Sequence, residues 1–248
     1  PPGPPLQPND PFMPYAFPSA PPQGGITGIF PDIFHVTGSV DMVPGMRISR
    51  AMTILRDGDA LTLISPIRLS EEGLAALQAL GQVTHIVKLG GYHLGAQNGL
   101  DDPFYVRRYG ATLWALAGMD HKGGLKPDHI LQVGGEMPAP GLSLFTYETS
   151  TLPEGMFLLE REDGILITAD SLQNWTKPDA FFSEIAAERM GQAGFFKPAN
   201  IGPEWLRFCT PAPPEFNRVA AFHFRPPLPP PRHPFPGHPT HHPVQPSP

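Results

Sequence analysis

Three side chains of this 248-residue chain stand where chemistry could be done: His93, Asp170 and His223. Each follows an apolar, β-rich run: VTHIVKL precedes His93, ILITA leads to Asp170, and RVAAF to His223. In layered α/β folds ligands bind at such strand ends, because loops converge there on a rigid sheet. Two imidazoles and a carboxylate suit one Zn²⁺ or non-haem Fe²⁺ ion with positions left open for water or substrate. A metal so held lowers the pKa of its bound water towards ~7 and polarises an ester, lactone or amide carbonyl. His93, Asp170 and His223 are therefore the candidate metal ligands, and Asp170 and His93 the candidate catalytic residues. The same residues have plainer uses, since an Asp after a strand forms turns or caps and a lone His packs.

The elements that must position them are read from periodicity. Ala51 to Ile64 is a hairpin, MTIL and ALTLI turning at Asp57-Gly58-Asp59. A helix follows, capped by Ser70, with Glu71 and Glu72 at its positive end, Leu74, Leu77 and Leu80 on one face, and Gly81 closing it. Val83 to Leu89 is a buried strand, Asp102-Pro103 starts a helix, and Thr112 to Leu116 and His129 to Val133 are short strands. LSLFTY, GMFLLE and ILITA are three more strands, the last two joined by a tight turn at Asp163-Gly164. A second helix is expected from Pro178-Asp179 with Phe181, Phe182, Ile185 and Met190 on its apolar face. Trp205 and Leu206 fit a short helix, and RVAAFHF reads as a last strand. Two β-rich halves, each followed by helix, make an α/β sandwich with helices outside the sheets.

Much of the proline, 35 residues in all, is gathered at the two ends. This divides the chain into a Pro-rich disordered segment over 1–25, one domain over 26–225 and a Pro/His-rich disordered tail over 226–248. A formal charge of −6 offers nothing to a nucleic-acid backbone or an anionic membrane surface, so the expected partner is a small-molecule ligand or substrate. The single cysteine, Cys209, excludes an internal disulfide and packs as a small hydrophobe. No apolar run reaches the ~20 residues of a membrane helix, and a cytoplasmic location is expected, although a chain that does not begin with Met leaves room for a lost leader. Oligomeric state is not legible.

The run LISPIRLSEEGLAALQALGQVTHIVKLGGYH, with GMFLLEREDGILITADSLQNW after it, resembles the metallo-β-lactamase superfamily, in particular an uncharacterised branch of it. The resemblance spans about Gly28 to Phe224 and implies an αββα four-layer sandwich. By position it matches His93 to the first histidine of that branch's pair, Asp170 to the carboxylate that bridges metals in active members, and His223 to their last histidine. The HxHxDH signature is absent: the segment reads KLGGYHLGAQN, with Gly90 for the branch's Asn and Leu94 for its second His. YETSTLPEG replaces a Gly-His-Thr turn and offers only Glu148, and Ser65 stands where many members place an aspartate. A two-metal centre lacks its ligands, which leaves two readings. One is a mononuclear metal-dependent hydrolase. The other is a member without metal or catalysis that binds a ligand or protein through Gly90, Gly91, Tyr92, Glu148, Asn174 and Trp175. Glycines there allow close backbone approach, and the aromatic residues supply an apolar face with a polar tip.

Overall fold

In the computed structural model the described residues are Phe17, 19–92 and 100–221. The chain opens with four antiparallel strands, β1 (Thr27–Phe30), β2 (Ile33–Val43), β3 (Met46–Asp57) and β4 (Ala60–Ile64). Helix α1 (Glu71–Leu80) leads to β5 (Gln82–Lys88), and α2 (Asp101–Tyr109) leads to β6 (Thr112–Ala115) and β7 (His129–Ile130). From β4 onward the pairing is parallel, and the seven strands lie in sequence order in one sheet. A second sheet, in the order β10-β9-β8, holds β8 (Leu142–Thr146), β9 (Gly155–Leu159) and β10 (Ile165–Ile167). Then β11 (Leu172–Gln173), α3 (Glu184–Gln192) and β12 (Asn200–Ile201) form an excursion closed by β11–β12 pairing. Helices α4 (Pro203–Cys209) and α5 (Pro214–Ala220) end the described chain.

Alternation along the strands creates the layers, because successive side chains point to opposite faces of a sheet. On β3 and β4, Met52, Ile54, Leu61 and Leu63 pack with Leu74 and Leu77 of α1 and Phe104 and Tyr105 of α2. Their neighbours Leu55 and Ile64 turn the other way and meet Leu144, Phe157 and Ile167 of the second sheet. The outer face of that sheet, Phe145, Met156 and Leu166, is covered by Trp205 and Cys209 of α4 and Val219 of α5. The order is helix, sheet, sheet, helix, an αββα four-layer sandwich as expected. Each large apolar side chain so buried contributes roughly 1.5–3 kcal/mol.

Several local expectations hold for the reasons given. The Ser70 hydroxyl accepts the Gly73 N–H at 3.2 Å to cap α1, and Gly58 turns the β3–β4 hairpin at φ 59°. Others are corrected. The second long helix begins at Glu184, not near Pro178, because the Ser183 hydroxyl takes the Ala186 N–H as its cap. Pro178-Asp179 instead makes a turn in which an Asp179 oxygen accepts the Phe181 N–H at 2.9 Å, so Phe181 and Phe182 precede the helix. The RVA of RVAAFHF is the end of α5, not strand: Pro214 sits in the helix's first turn, and Val219 is buried against the outer sheet. Strands β1 and β2 were not expected, although β2 pairs with β3 over ten residue pairs. The described residues nearest the N-terminus touch the first sheet and α2. Phe17 meets Phe104 edge to face at 5.4 Å, Gln23 bridges to Gly38, and the Ser39 hydroxyl donates to Pro22 O at 2.7 Å. Among the described residues no helix is long and apolar enough to cross a membrane.

Tyr105 joins α2 to the β4–α1 connection. Its ring is fully buried, its hydroxyl donates to Ile67 O at 2.7 Å, and the Leu69 N–H donates to it at 3.2 Å. Tyr105→Phe leaves both backbone groups buried without a partner and should cost about 1–3 kcal/mol, read as a lower urea midpoint with an unchanged slope.

Candidate functional site

The site region begins where the first sheet ends. Past β4 the chain turns at Ser65, a non-glycine residue at φ 54°, whose N–H still donates to Val87 O at 3.0 Å. Past β5 the backbone is joined to the second sheet: Gly155 N–H donates to Leu89 O and Gly91 N–H to Pro153 O, each at 2.8 Å, and Gly90 bridges to Glu154. The two sheets are thus held together at one end and open beside it. A cleft of about 670 Å³ lies there, walled by β2 and β3 on one side and by residues 165–175, α3 and α4 on the other.

Two ion pairs hold α2 to the first sheet. Lys88 at the end of β5 binds Asp102 at 2.9 Å, and Arg50 of β3 binds Asp101 at 2.7 Å while also donating to Pro66 O. Both acids lie in the first turn of α2, where the helix dipole favours negative charge. Lys88 and Asp102 have only 5% and 6% of their side chains exposed. Burial pushes the Asp102 carboxyl up, and Lys88 opposes that shift.

A second acid, Glu154, is 1% exposed. Its Oε1 accepts the Ser171 N–H at 2.7 Å, whereas Oε2 makes no hydrogen bond of ordinary geometry. Burial raises its carboxyl well above the usual range and the charge of Asp170 adds to this, while hydrogen bonding from Ser171 and the Asp170 backbone acts the other way. Oε2 lies against Gly90, where a Cβ would stand 2.5 Å from it and 2.9 Å from the Ala169 methyl. Tyr92, on the cleft, has its phenol pushed up to about 12 by burial and by Glu204 and Asp170.

Gly90, Tyr92, Asp170, Asn174 and Trp175 all line the cleft. Asn174 holds the Ala199 N–H at 3.1 Å, and Trp175 packs edge to face on Phe182 at 5.6 Å. Gly91 contributes the backbone link to Pro153. Glu148 is a correction: its side chain is 71% exposed and paired with Arg218 at 3.1 Å, so it faces solvent away from the cleft. Of the three expected metal ligands, His93 and His223 lie outside the described residues, and Asp170 alone is placed. Among the described residues no three His, Cys, Asp or Glu side chains come together as a metal requires. The acid beside Asp170 is Glu154, whose environment favours the protonated form.

Sequence reasoning did not find Glu154, nor the pairs made by Lys88 and Arg50. A lysine closing the apolar run QVTHIVK and two acids opening a helix were visible signals. That they meet depends on how α2 packs against β3 and β5.

Two outcomes test these electrostatics. Lys88→Met should cost about 3–5 kcal/mol by leaving Asp102 buried and uncompensated, and adding Asp102→Asn should restore most of it; urea unfolding of the three proteins reads this. His35 and His85 are held below the usual imidazole range by burial, His85 further by His129. The folded chain therefore favours their neutral forms, and their contribution is complete above ~6.5 and declines as pH falls from there towards the lowered values. Glu154, raised, acts in the opposite sense. Between about pH 7.5 and about pH 5.5 the urea midpoint should accordingly change less favourably in the parent than in His35→Gln/His85→Gln.

No family model matches the chain, and no curated protein matches it. Solved structures that resemble it include a metallo-β-lactamase from Hirschia baltica, 14% identical over 75% of this chain and 95% of that one, at a TM-score of 0.48. Another is from Erythrobacter litoralis, 12% identical over 68% and 75% of the two chains, with a TM-score of 0.47. The metallo-β-lactamase FIM-1 from Pseudomonas aeruginosa, in a mono-zinc form, is 16% identical over 56% of this chain and 66% of its own, at 0.43. At such identities no residue role passes from one chain to the other. By the order of its four layers the chain is an αββα sandwich, the architecture its sequence resemblance implies.

Proposed function

We propose that the chain binds a small, largely apolar molecule in the cleft between its sheets, the ligand-binding reading of the two left open by sequence. The observation that supports it is the cleft itself. About 670 Å³ is within the size range of small-molecule sites, and its walls are mostly apolar with a few polar groups. The polar groups gather at the strand ends, where Ser65, Lys88, Gly90 and Asp170 all line it. Ser49 and Trp205, each 1% exposed, also contribute to the walls.

The hydrolase reading, a mononuclear metal acting on an ester, lactone or amide, retains only Asp170 among the described residues and is not developed into steps. Calorimetric titration with octanol, a neutral amphiphile with one acceptor oxygen, tests the binding reading. Saturable one-site binding is expected, weakened at least about tenfold in Ala51→Trp, which places a ring in the cleft from an exposed position on β3. Binding unaffected by that substitution would overturn the reading. Stoichiometric zinc or iron in the purified protein, lost in both His93→Ala and Asp170→Ala, would replace it with the metal-dependent one.

A further inference from the structure

The β2–β3 wall changes character along its length, and the change identifies the class of molecule the cleft would take, an inference that rests on the binding reading above. Alternate residues of a strand share a face, and residues directly opposed across an antiparallel pair lie side by side on it. Ile33 and Leu55 oppose each other and pack between the sheets. The next opposed pairs on that face are His35 with Thr53, Thr37 with Ala51, and Ser39 with Ser49. Of these, His35, Thr37, Ser49, Ala51 and Thr53 line the cleft. Beyond Ile33 and Leu55 an apolar strand surface thus becomes a polar stripe.

The stripe is uncharged at neutral pH. Its titratable group, His35, is held below the usual imidazole range by burial. Arg50, one residue from Ser49 and Ala51, belongs to the other face of β3 and is bound to Asp101 at 2.7 Å. Lys88 is bound to Asp102 at 2.9 Å, and Arg189 stands on α3.

Within the stripe, His35 Nε2 and Thr37 Oγ1 lie 3.2 Å apart and satisfy each other. Nδ1 of His35 and the Thr53 hydroxyl have no hydrogen-bond partner among the described residues. Both residues are half-buried and line the cleft. A neutral imidazole presents one donor and one acceptor, and a threonine hydroxyl presents both. Where Thr37 donates to Nε2, the Nδ1–H is left to donate; in the other tautomer Nδ1 is left to accept. A hydroxyl complements either state, because it too gives and takes a hydrogen bond. An ether or ester oxygen only accepts. A charged group would shed its water there against neutral partners, a cost that a hydroxyl avoids. Ile64, opposed to Thr53 from β4, and Ile167 and Met190 of the other wall offer apolar surface to whatever carries the hydroxyl.

We infer that the cleft selects a neutral, hydroxyl-bearing amphiphile: an apolar chain or ring system whose hydroxyl is received by His35 and Thr53 on the β2–β3 stripe.

Octanol, its isomer heptyl methyl ether, and octanoate separate the possibilities when each is titrated calorimetrically into the full chain at about pH 7.5, where His35 is neutral. Octanol should bind at least about fivefold tighter than the ether, which accepts but does not donate, and octanoate more weakly than octanol. In His35→Leu and in Thr53→Val octanol should weaken about threefold to tenfold, and its lead over the ether should shrink. Thr53→Val keeps the β-branched shape that suits a strand, so it removes little besides the hydroxyl. An ether that binds as tightly as octanol would overturn the inference and leave the cleft reading intact. Octanoate as the tightest of the three would do the same, as would an octanol lead that survives both substitutions. Failure of all three to bind would remove the cleft reading and the inference with it. The ranking on the unsubstituted protein decides the matter even where a variant folds poorly.

Discussion

The backbone join between residues 89–91 and 153–155 is the constraint on which the site depends. It takes the last reach of a central strand of one sheet and hydrogen-bonds it to the first residues of the other. Two packed sheets would otherwise sit about 10 Å apart with only side chains between them. Two glycines permit the closer approach. A Cβ at Gly90 would strike the Glu154 carboxylate, and one at Gly155 would stand 3.4 Å from Leu116 Cδ1, just past β6 of the first sheet. Because the sheets are joined at this edge, the space beside it cannot close, and the cleft is what remains between the join and the β2–β3 hairpin.

The same join explains the burial of Glu154. A residue that bridges two sheets has its side chain enclosed by both, and here the enclosed side chain is an acid. It is tolerated because Ser171 N–H reaches one oxygen and because protonation relieves the remainder, as desolvation favours the neutral form of a carboxyl. Lys88 and Arg50 solve a similar problem differently. Their charges stay buried because α2 brings a carboxylate to each, and such pairs hold geometry more than they add stability. Both cations are thus held by the first turn of α2.

Much of the architecture was legible along the chain because it depends on local periodicity and capping. The β3–β4 hairpin, the Ser70-capped helix, the buried strand that ends at Lys88 and the β9–β10 turn follow from alternation, a hydroxyl at the right offset, and Gly at the turns. Misread elements were those where a local signal had competitors. Pro178-Asp179 resembles a helix start, yet Ser183 is the better cap. RVA alternates weakly, and a proline four residues before Arg218 in the same helix decides for helix. β2 escaped notice because IFHVTGSVDMV mixes Gly, Ser and Asp into its alternation, and its pairing with β3 supplies what its composition lacks.

By itself the sequence determined that the chain forms layered sheets and helices and that Gly90, Tyr92, Asp170, Asn174 and Trp175 lie just beyond strands. Which of these face a common space, that Glu148 turns to solvent beside Arg218, and that Glu154 is buried next to Asp170 were decided only by the tertiary structure. The reason is physical. Periodicity reports which face of an element is apolar, whereas a site is made where different elements end, and residues 50, 88, 101, 154 and 170 become neighbours only through the packing of both sheets and α2.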